Sequence, residues 1–369
     1  MLIERRIMEF DHIHFYVQDA KRTREWFIEN LGFQGISSRS FGHTQTEIVY
    51  QGSVYFLLSS PLTIESHVTE FLQLHPSGVA DIAFQVKDLE LRLEHLIKQG
   101  VRVISPLKSQ EYSGGKLKWL TLEGWQGLRH TLVEQIGTIP SKPIPGFTDI
   151  IPISSADILT IDHVVLNVES GDLKTAISWY QNNLGFQPKQ SFDIQTERSG
   201  LQSQVMVHSQ GKVQFPINEP ASTNSQIQEF LDMNRGSGIQ HIALKTSNLV
   251  QKINCLKQRG LAFLKVPDEY YLQLQKRWID QPLLVNWEEL KAHQILADWE
   301  YLNPEAMLLQ IFTQPIFEQP TFFFEFIERK FCTIEGEIRQ AKGFGEGNFR
   351  ALFEAIEREQ IKRTNQKYS

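Results

Sequence analysis

Apolar and polar positions along the chain follow a pattern that is used twice. The stretch FDHIHFYVQDAKRTREWFIENLGFQ (Phe10–Gln34) opens as a β-rich run. It continues in an amphipathic segment with Trp26 and Phe27 at helical spacing and stops at the glycine of LGF. IDHVVLNVESGDLKTAISWYQNNLGFQ (Ile161–Gln187) repeats this order with Trp179 and Tyr180 and a longer strand-to-helix turn. Both copies begin Asp-His and end Leu-Gly-Phe-Gln. A second pair follows, GVADIAFQVKDLELRLEHLIKQGV (Gly78–Val101) and GIQHIALKTSNLVQKINCLKQRGL (Gly238–Leu261), and each again predicts a strand, a helix and a closing glycine. A third match sets HTLVEQI (His130–Ile136) beside FFFEFI (Phe322–Ile327), two strands with one acidic residue in an apolar run, which aligns Glu134 with Glu325.

A chain of 369 residues is too long for one hydrophobic core, and the duplication predicts two α+β domains. Residues 136–158 carry four prolines and little periodicity, as a connecting arm does, so the domains are set at 1–150 and 151–369. The net charge of −6 comes from 43 acidic and 37 basic side chains spread along the chain, leaving no basic stripe for nucleic acid. Cys255 and Cys332 are the only cysteines, which excludes a disulfide framework or a cysteine zinc site. No apolar run is long enough for a signal sequence or a membrane span, so a cytoplasmic protein is expected. The 24 phenylalanines are a mild excess that needs a location.

Laid side by side, the first copy offers His12, Asp81 and Glu134 where the second offers His163, His241 and Glu325. Only the second keeps two histidines. Two imidazoles and one carboxylate form the facial triad of non-haem iron(II) oxygenases, which leaves coordination positions for substrate and oxygen. Taken singly, either histidine could be an ordinary strand residue. Glu325 is flanked by Phe322, Phe323, Phe324, Phe326 and Ile327, and a carboxylate in such a strand needs a cation or an arginine partner.

At this point the sequence resembles a known family. GIQHIAL around His241, MLLQIFTQP (Met307–Pro315), QPTFFFEFIER (Gln319–Arg329) and GFGEGNFRALFEAIEREQ (Gly343–Gln360) are similar to the 4-hydroxyphenylpyruvate dioxygenase family of the vicinal oxygen chelate superfamily. The resemblance runs from about Phe10 to Gln360. It implies paired βαβββ modules forming two open barrels, a structural first barrel, a catalytic second barrel and a closing C-terminal helix. It also implies Fe(2+) on His163, His241 and Glu325. The implied polar pocket residues are Ser203, Asn218, Gln226, Gln240 and Gln310, and the implied aromatic walls are Phe312, Phe323, Phe344 and Phe349.

The residues themselves sort these positions. Gln310 and Phe312 are two apart and share one strand face, as do Phe323 and Glu325. Gln240 adjoins His241, and strict alternation points it away from the metal. Ser203 and Asn218 sit in β-rich runs, where a solvent-facing residue is the plain alternative. The glycines of GFGEGN lack the lysine of a phosphate loop and read as flexible positions. Asn348 is placed to cap a helix whose Phe349, Leu352, Phe353 and Ile356 form an inward apolar face. ADWEYLNPEA ahead of MLLQIFTQP and the short NEPASTNSQ loop depart from the family pattern near the pocket entrance.

The implied reaction takes 4-hydroxyphenylpyruvate and O2 to homogentisate and CO2 in a homo-oligomer, dimer or tetramer. Two other readings share the fold. One is 4-hydroxymandelate synthase, against which Phe349 speaks, since that relative tends to a smaller aliphatic residue there. The other is a metal-free module that binds an aromatic ligand.

Overall fold

The computed structural model describes residues 8–139, 142–147, 158–208, 213–277, 286–300, 303–334 and 337–367. Alternation and β-branched content set the first eight strands: β1 (Glu9–Tyr16), β2 (Gln34–Phe41), β3 (Thr44–Gln51), β4 (Val54–Pro61), β5 (Gly78–Gln85), β6 (Val103–Tyr112), β7 (Gly115–Glu123) and β8 (Arg129–Gly137). They form one sheet in the order β2-β3-β4-β1-β5-β8-β7-β6. The second half repeats it with β9 (Ile158–Asn167), β10 (Phe186–Gln195), β11 (Gly200–His208), β12 (Gln214–Pro220), β13 (Gly238–Thr246), β14 (Leu296–Glu300), β15 (Asn303–Phe312) and β16 (Phe323–Arg329). Its order is β10-β11-β12-β9-β13-β16-β15-β14.

Each sheet is two βαβββ modules joined where their first strands run antiparallel, β1 on β5 and β9 on β13. The fold predicted from the repeat is therefore present. The four crossover helices are α1 (Ala20–Trp26), α3 (Leu89–Lys98), α4 (Leu173–Leu184) and α6 (Leu249–Gln258), and α2 (His67–Leu74) and α5 (Gln226–Asn234) precede the second module of each sheet. Gly185 closes α4 at φ 76°, the left-handed conformation that explains the glycine of LGF. Further helices are α7 (Asp268–Arg277), α8 (Trp287–His293) and the long α9 (Glu346–Lys367). The domain boundary at 150/151 lies outside the described residues. No helix among the described residues is long and apolar enough to cross a membrane.

The phenylalanines have their place between the two sheets. Strand alternation turns Phe324 and Phe326 to one face of β16, where Phe324 meets Phe27 at 5.9 Å, and Phe322 just before the strand meets Phe15 edge-on at 5.2 Å. These rings belong to one core that joins both halves of the chain. The opposite face of the same strand carries Phe323 and Glu325, and there the site is built.

Candidate metal centre and cavity

Pairing register brings three polar side chains to one point. His163 on β9 and Glu325 on β16 both lie opposite Ala243 of β13, whose methyl group leaves the space between them open. His241, two residues before Ala243 on β13, projects beside them. One ligand atom from each of His163, His241 and Glu325 falls within 4.8 Å of the others. His163 Nε2 lies 3.2 Å and His241 Nε2 3.6 Å from Glu325 Oε2.

The surroundings fix which nitrogen each ring presents. His163 Nδ1 hydrogen-bonds Asp162 Oδ1 at 3.0 Å, and His241 Nδ1 hydrogen-bonds Gln240 Oε1 at 3.2 Å. Both Nε2 atoms are thus aimed at the carboxylate, the arrangement that outer hydrogen bonds give to metal-bound histidines. A register shift between Ile239 and His241 lets the amide of Gln240 turn back to its neighbour. Asp162 in turn accepts from Arg329 Nε at 2.8 Å and Nη2 at 2.7 Å. The arginine of this strand serves Asp162, so Glu325 is satisfied by the histidines and by Gln310 Nε2 at 2.8 Å.

Burial opposes charge at all three groups, and neighbouring charges and hydrogen bonds overcome it at two of them. Burial alone lowers His163, but the Glu325 and Asp162 carboxylates outweigh it and push the imidazole up to about 9. Burial alone raises Glu325, and the charge and hydrogen bonds of the histidines hold it at about 2. For His241 burial prevails and the value falls. Two aligned imidazole nitrogens and a carboxylate held ionised by its neighbours, all buried, fit a divalent cation with open positions.

The same three residues line a narrow cavity of about 30 Å³ with Ser203, Asn218, Gln310, Phe312, Phe344 and Phe349. Phe344 meets His163 edge-on at 5.2 Å, and Phe349 meets Phe192 edge-on at 5.3 Å. Ser203 and Asn218 face each other across β11 and β12. Ser203 Oγ and Asn218 Oδ1 are buried without a hydrogen-bond partner among the described residues. Such atoms cost about 1–3 kcal/mol each when left unpaired, so they are placed for a polar group that enters the cavity.

Three of the expected pocket residues face the adjoining space. Gln226, Gln240 and Phe323 line a neighbouring cavity beneath α5 and α9. Phe323 packs against the candidate metal centre from there, its ring stacked on His241 at 4.8 Å and 19°.

The C-terminal segment also differs from its reading. Asn348 lies inside α9 and caps nothing; its Nδ2 donates to Gln310 Oε1 at 2.8 Å, and its Oδ1 accepts from the Tyr270 hydroxyl at 2.7 Å. A side-chain chain therefore runs Glu325, Gln310, Asn348, Tyr270. Gly345 is there for space: its φ is 65°, and a Cβ would stand 2.7 Å from Gln310 Oε1. Asp162, Arg329 and Asn348 were not singled out as site residues from the sequence, although Asp162 is the Asp of the duplicated Asp-His pair.

The register corrects one alignment. Asp81 lies opposite Arg129 on β8 as His241 lies opposite Phe323 on β16, so the counterpart of Glu325 is Thr131, three residues before Glu134. Glu134 corresponds to Glu328. Both cap the helix after the central strand, Glu134 accepting from the backbone of Asp88 and Leu89, and Glu328 from Leu249 N at 2.8 Å. In the first barrel Thr131 closes the site, its N and Oγ1 donating to Asp81 at 2.9 and 2.5 Å.

Family comparisons agree with this architecture. The Glyoxalase/Bleomycin resistance protein/Dioxygenase superfamily matches residues 11–116 and again residues 160–277. A 4-hydroxyphenylpyruvate dioxygenase of Yarrowia lipolytica is 36% identical over 379 residues, covering 96% of this chain and 93% of its own. One from Danio rerio is 34% identical over 377 residues, covering 98% and 92%. In structure, a mutant of 4-hydroxymandelate synthase from Streptomyces coelicolor superposes with a TM-score of 0.80 at 24% identity, over 95% of this chain and 98% of its own, a likeness of fold. The duplicated sheet defines a vicinal oxygen chelate protein. Within that class the chain belongs to the 4-hydroxyphenylpyruvate dioxygenase family and is an oxidoreductase.

Proposed function

We propose that the chain is an iron(II) dioxygenase that converts 4-hydroxyphenylpyruvate and O2 to homogentisate and CO2. The observation that carries this reading is the convergence of His163 Nε2, His241 Nε2 and the Glu325 carboxylate on the wall of a phenylalanine-lined cavity that holds two unpartnered polar atoms. The dioxygenase relatives support the choice of substrate.

His163, His241 and Glu325 would hold the iron, which when bound supplies the one-electron chemistry that lets oxygen react with an organic acid. The protein's own part is orientation and dryness. Gln310, held by Asn348, fixes one oxygen of Glu325 and leaves the other beside the imidazoles. Ser203 and Asn218 present a hydroxyl and a carboxamide to the polar end of a bound aromatic acid. Phe344 and Phe349 confine its ring, which keeps the reacting carbons in one orientation.

A free space of about 30 Å³ is far smaller than the roughly 300–1,000 Å³ of small-molecule sites, so the cavity must widen to admit an aromatic acid. Phe349 and Leu352 of α9 supply one wall, and α9 is tied down by Arg363 on Glu229 at 2.7 Å and by Glu357 on Ser199 at 2.5 Å. Iron-loaded protein given 4-hydroxyphenylpyruvate in air is expected to yield homogentisate by chromatography. Hydroxymandelate as the sole product would replace this reading with that of a benzylic hydroxylase.

A further inference from the structure

The first barrel carries a cavity at the same place in its sheet as the metal-lined cavity of the second, and its wall has a different chemistry. Strand registers align the two sheets position by position, anchored by His12 opposite Ala83 and His163 opposite Ala243. On that alignment His14 replaces Val165, Arg39 replaces Phe192, Thr46 replaces Ser203, Ser59 replaces Asn218 and Trp119 replaces Gln310. All ten residues line one cavity or the other.

The cavity of the first barrel is open and has about 540 Å³ of space, within the roughly 300–1,000 Å³ range of small-molecule sites. A metal does not account for it, because Asp81 is consumed by Thr131. The wall carries two cations instead, Arg39 and Lys108, beside the imidazoles of His43 and His67 and a single acid, Glu65. Neither Arg39 nor Lys108 has an ion-pair partner among the described residues. Arg39 gives one hydrogen bond to Gly146 O and lies over the rings of Phe41 and Phe147, 5.4 and 6.0 Å from their centroids, so most of its five N–H donors are uncommitted. Phe41 is 76% exposed, an aromatic surface left in water at the rim. Ser59 sits on the wall between two donors or acceptors, His14 Nε2 at 2.7 Å and Thr46 Oγ1 at 2.6 Å.

We propose that this cavity of the first barrel binds a small aromatic carboxylate without transforming it, the carboxylate on Arg39 and Lys108 and the ring among Trp119, Phe41 and Phe147. Arginine receives a carboxylate through its planar fork, and the exposed rings bury apolar area on a flat ligand. Because the cations are exposed, binding weakens as salt rises.

The test is equilibrium dialysis of 4-hydroxyphenylacetate, which has the ring and the carboxylate but no keto group, against the full-length metal-free protein. Arg39→Ala/Lys108→Ala and Trp119→Phe are measured alongside, with inorganic phosphate as the competitor. Both cations are at the surface, so the double variant is expected to fold and to keep the metal centre, which its metal binding verifies. The wild type is expected to bind the arylacetate at a site whose affinity falls about tenfold or more in the double variant, a loss of about 1.4 kcal/mol or more. Binding there is expected to quench Trp119 fluorescence, a signal missing in Trp119→Phe. Equal binding by wild type and double variant, no binding, or phosphate held more tightly than the arylacetate would each overturn the proposal.

Discussion

Arg329 grips Asp162 through two hydrogen bonds, 2.8 and 2.7 Å long, and Asp162 holds the His163 ring through Nδ1. The same guanidinium donates to the backbone oxygens of Ala341 and Gly343, just before α9. One arginine thus ties a histidine of the candidate metal centre to the segment leading into the covering helix. Removing it strands a buried carboxylate. Arg329→Met is expected to destabilise the protein by about 3–5 kcal/mol and to weaken metal binding about 10–100-fold. Denaturant unfolding and metal titration check both, and unchanged metal affinity would show that the pair serves folding alone.

The three-residue correction of register separates two kinds of glutamate. Glu325→Ala is expected to abolish metal retention, as are His163→Ala and His241→Ala. Asp81→Ala and Glu134→Ala should keep the metal, and Glu134→Ala should cost about 1 kcal/mol as a lost helix cap. Metal content of the purified variants decides it. Loss of metal from the Asp81 variant would place the site in the wrong barrel.

The charged His163–Glu325 pair gives the metal-free protein a particular response to pH. His163 is raised from 6.5 to about 9, so its contribution to stability is complete below 6.5 and is lost as pH rises through 9. Glu325 is lowered from 4.5 to about 2, so its contribution is complete above 4.5 and is lost as pH falls toward 2. Metal-free protein should therefore gain most from the pair between pH 4.5 and 6.5. A metal must displace the His163 proton, so its affinity should rise about tenfold per pH unit up to that group's value. Affinity that is flat from pH 6.5 to 9 would contradict the assignment.

Phe349 begins the apolar face of α9 and meets the cavity directly. Phe349→Ile is expected to keep the metal and oxygen consumption but to divert part of the flux from homogentisate to hydroxymandelate or another product. A change of about 1.4 kcal/mol in relative barrier shifts a product ratio tenfold, within reach of replacing a packed ring. Homogentisate alone at the wild-type rate would make Phe349 a packing residue.

Duplication made the architecture and the candidate triad legible in the sequence, because the strand-helix units and the Asp-His pairs recur with their order intact. It failed at β8 and β16. β8 holds one acid, Glu134, where β16 holds two at different heights, Glu325 and Glu328, and matching apolar runs cannot tell a cap such as Glu134 from a candidate site residue such as Glu325. Parallel pairing with β5 and β13 resolves them. The position of Gln226 in the neighbouring cavity was not legible for a related reason, since it depends on a packing between α5 and α9 that no local pattern encodes. Asn348 was read as a cap because asparagine near a helix start usually is one. Only the meeting of α9 with β15 reveals its hold on Gln310.

The most direct test of the central claim follows the oxygen atoms. Iron-loaded protein is given 4-hydroxyphenylpyruvate under isotopically labelled O2, with Glu325→Ala as the control, and the products are analysed by mass spectrometry. The account predicts homogentisate carrying both labelled atoms and one CO2 per O2 consumed, with none from the control. Turnover by the Glu325 variant, or a wild-type protein that consumes no oxygen with this substrate, would contradict it.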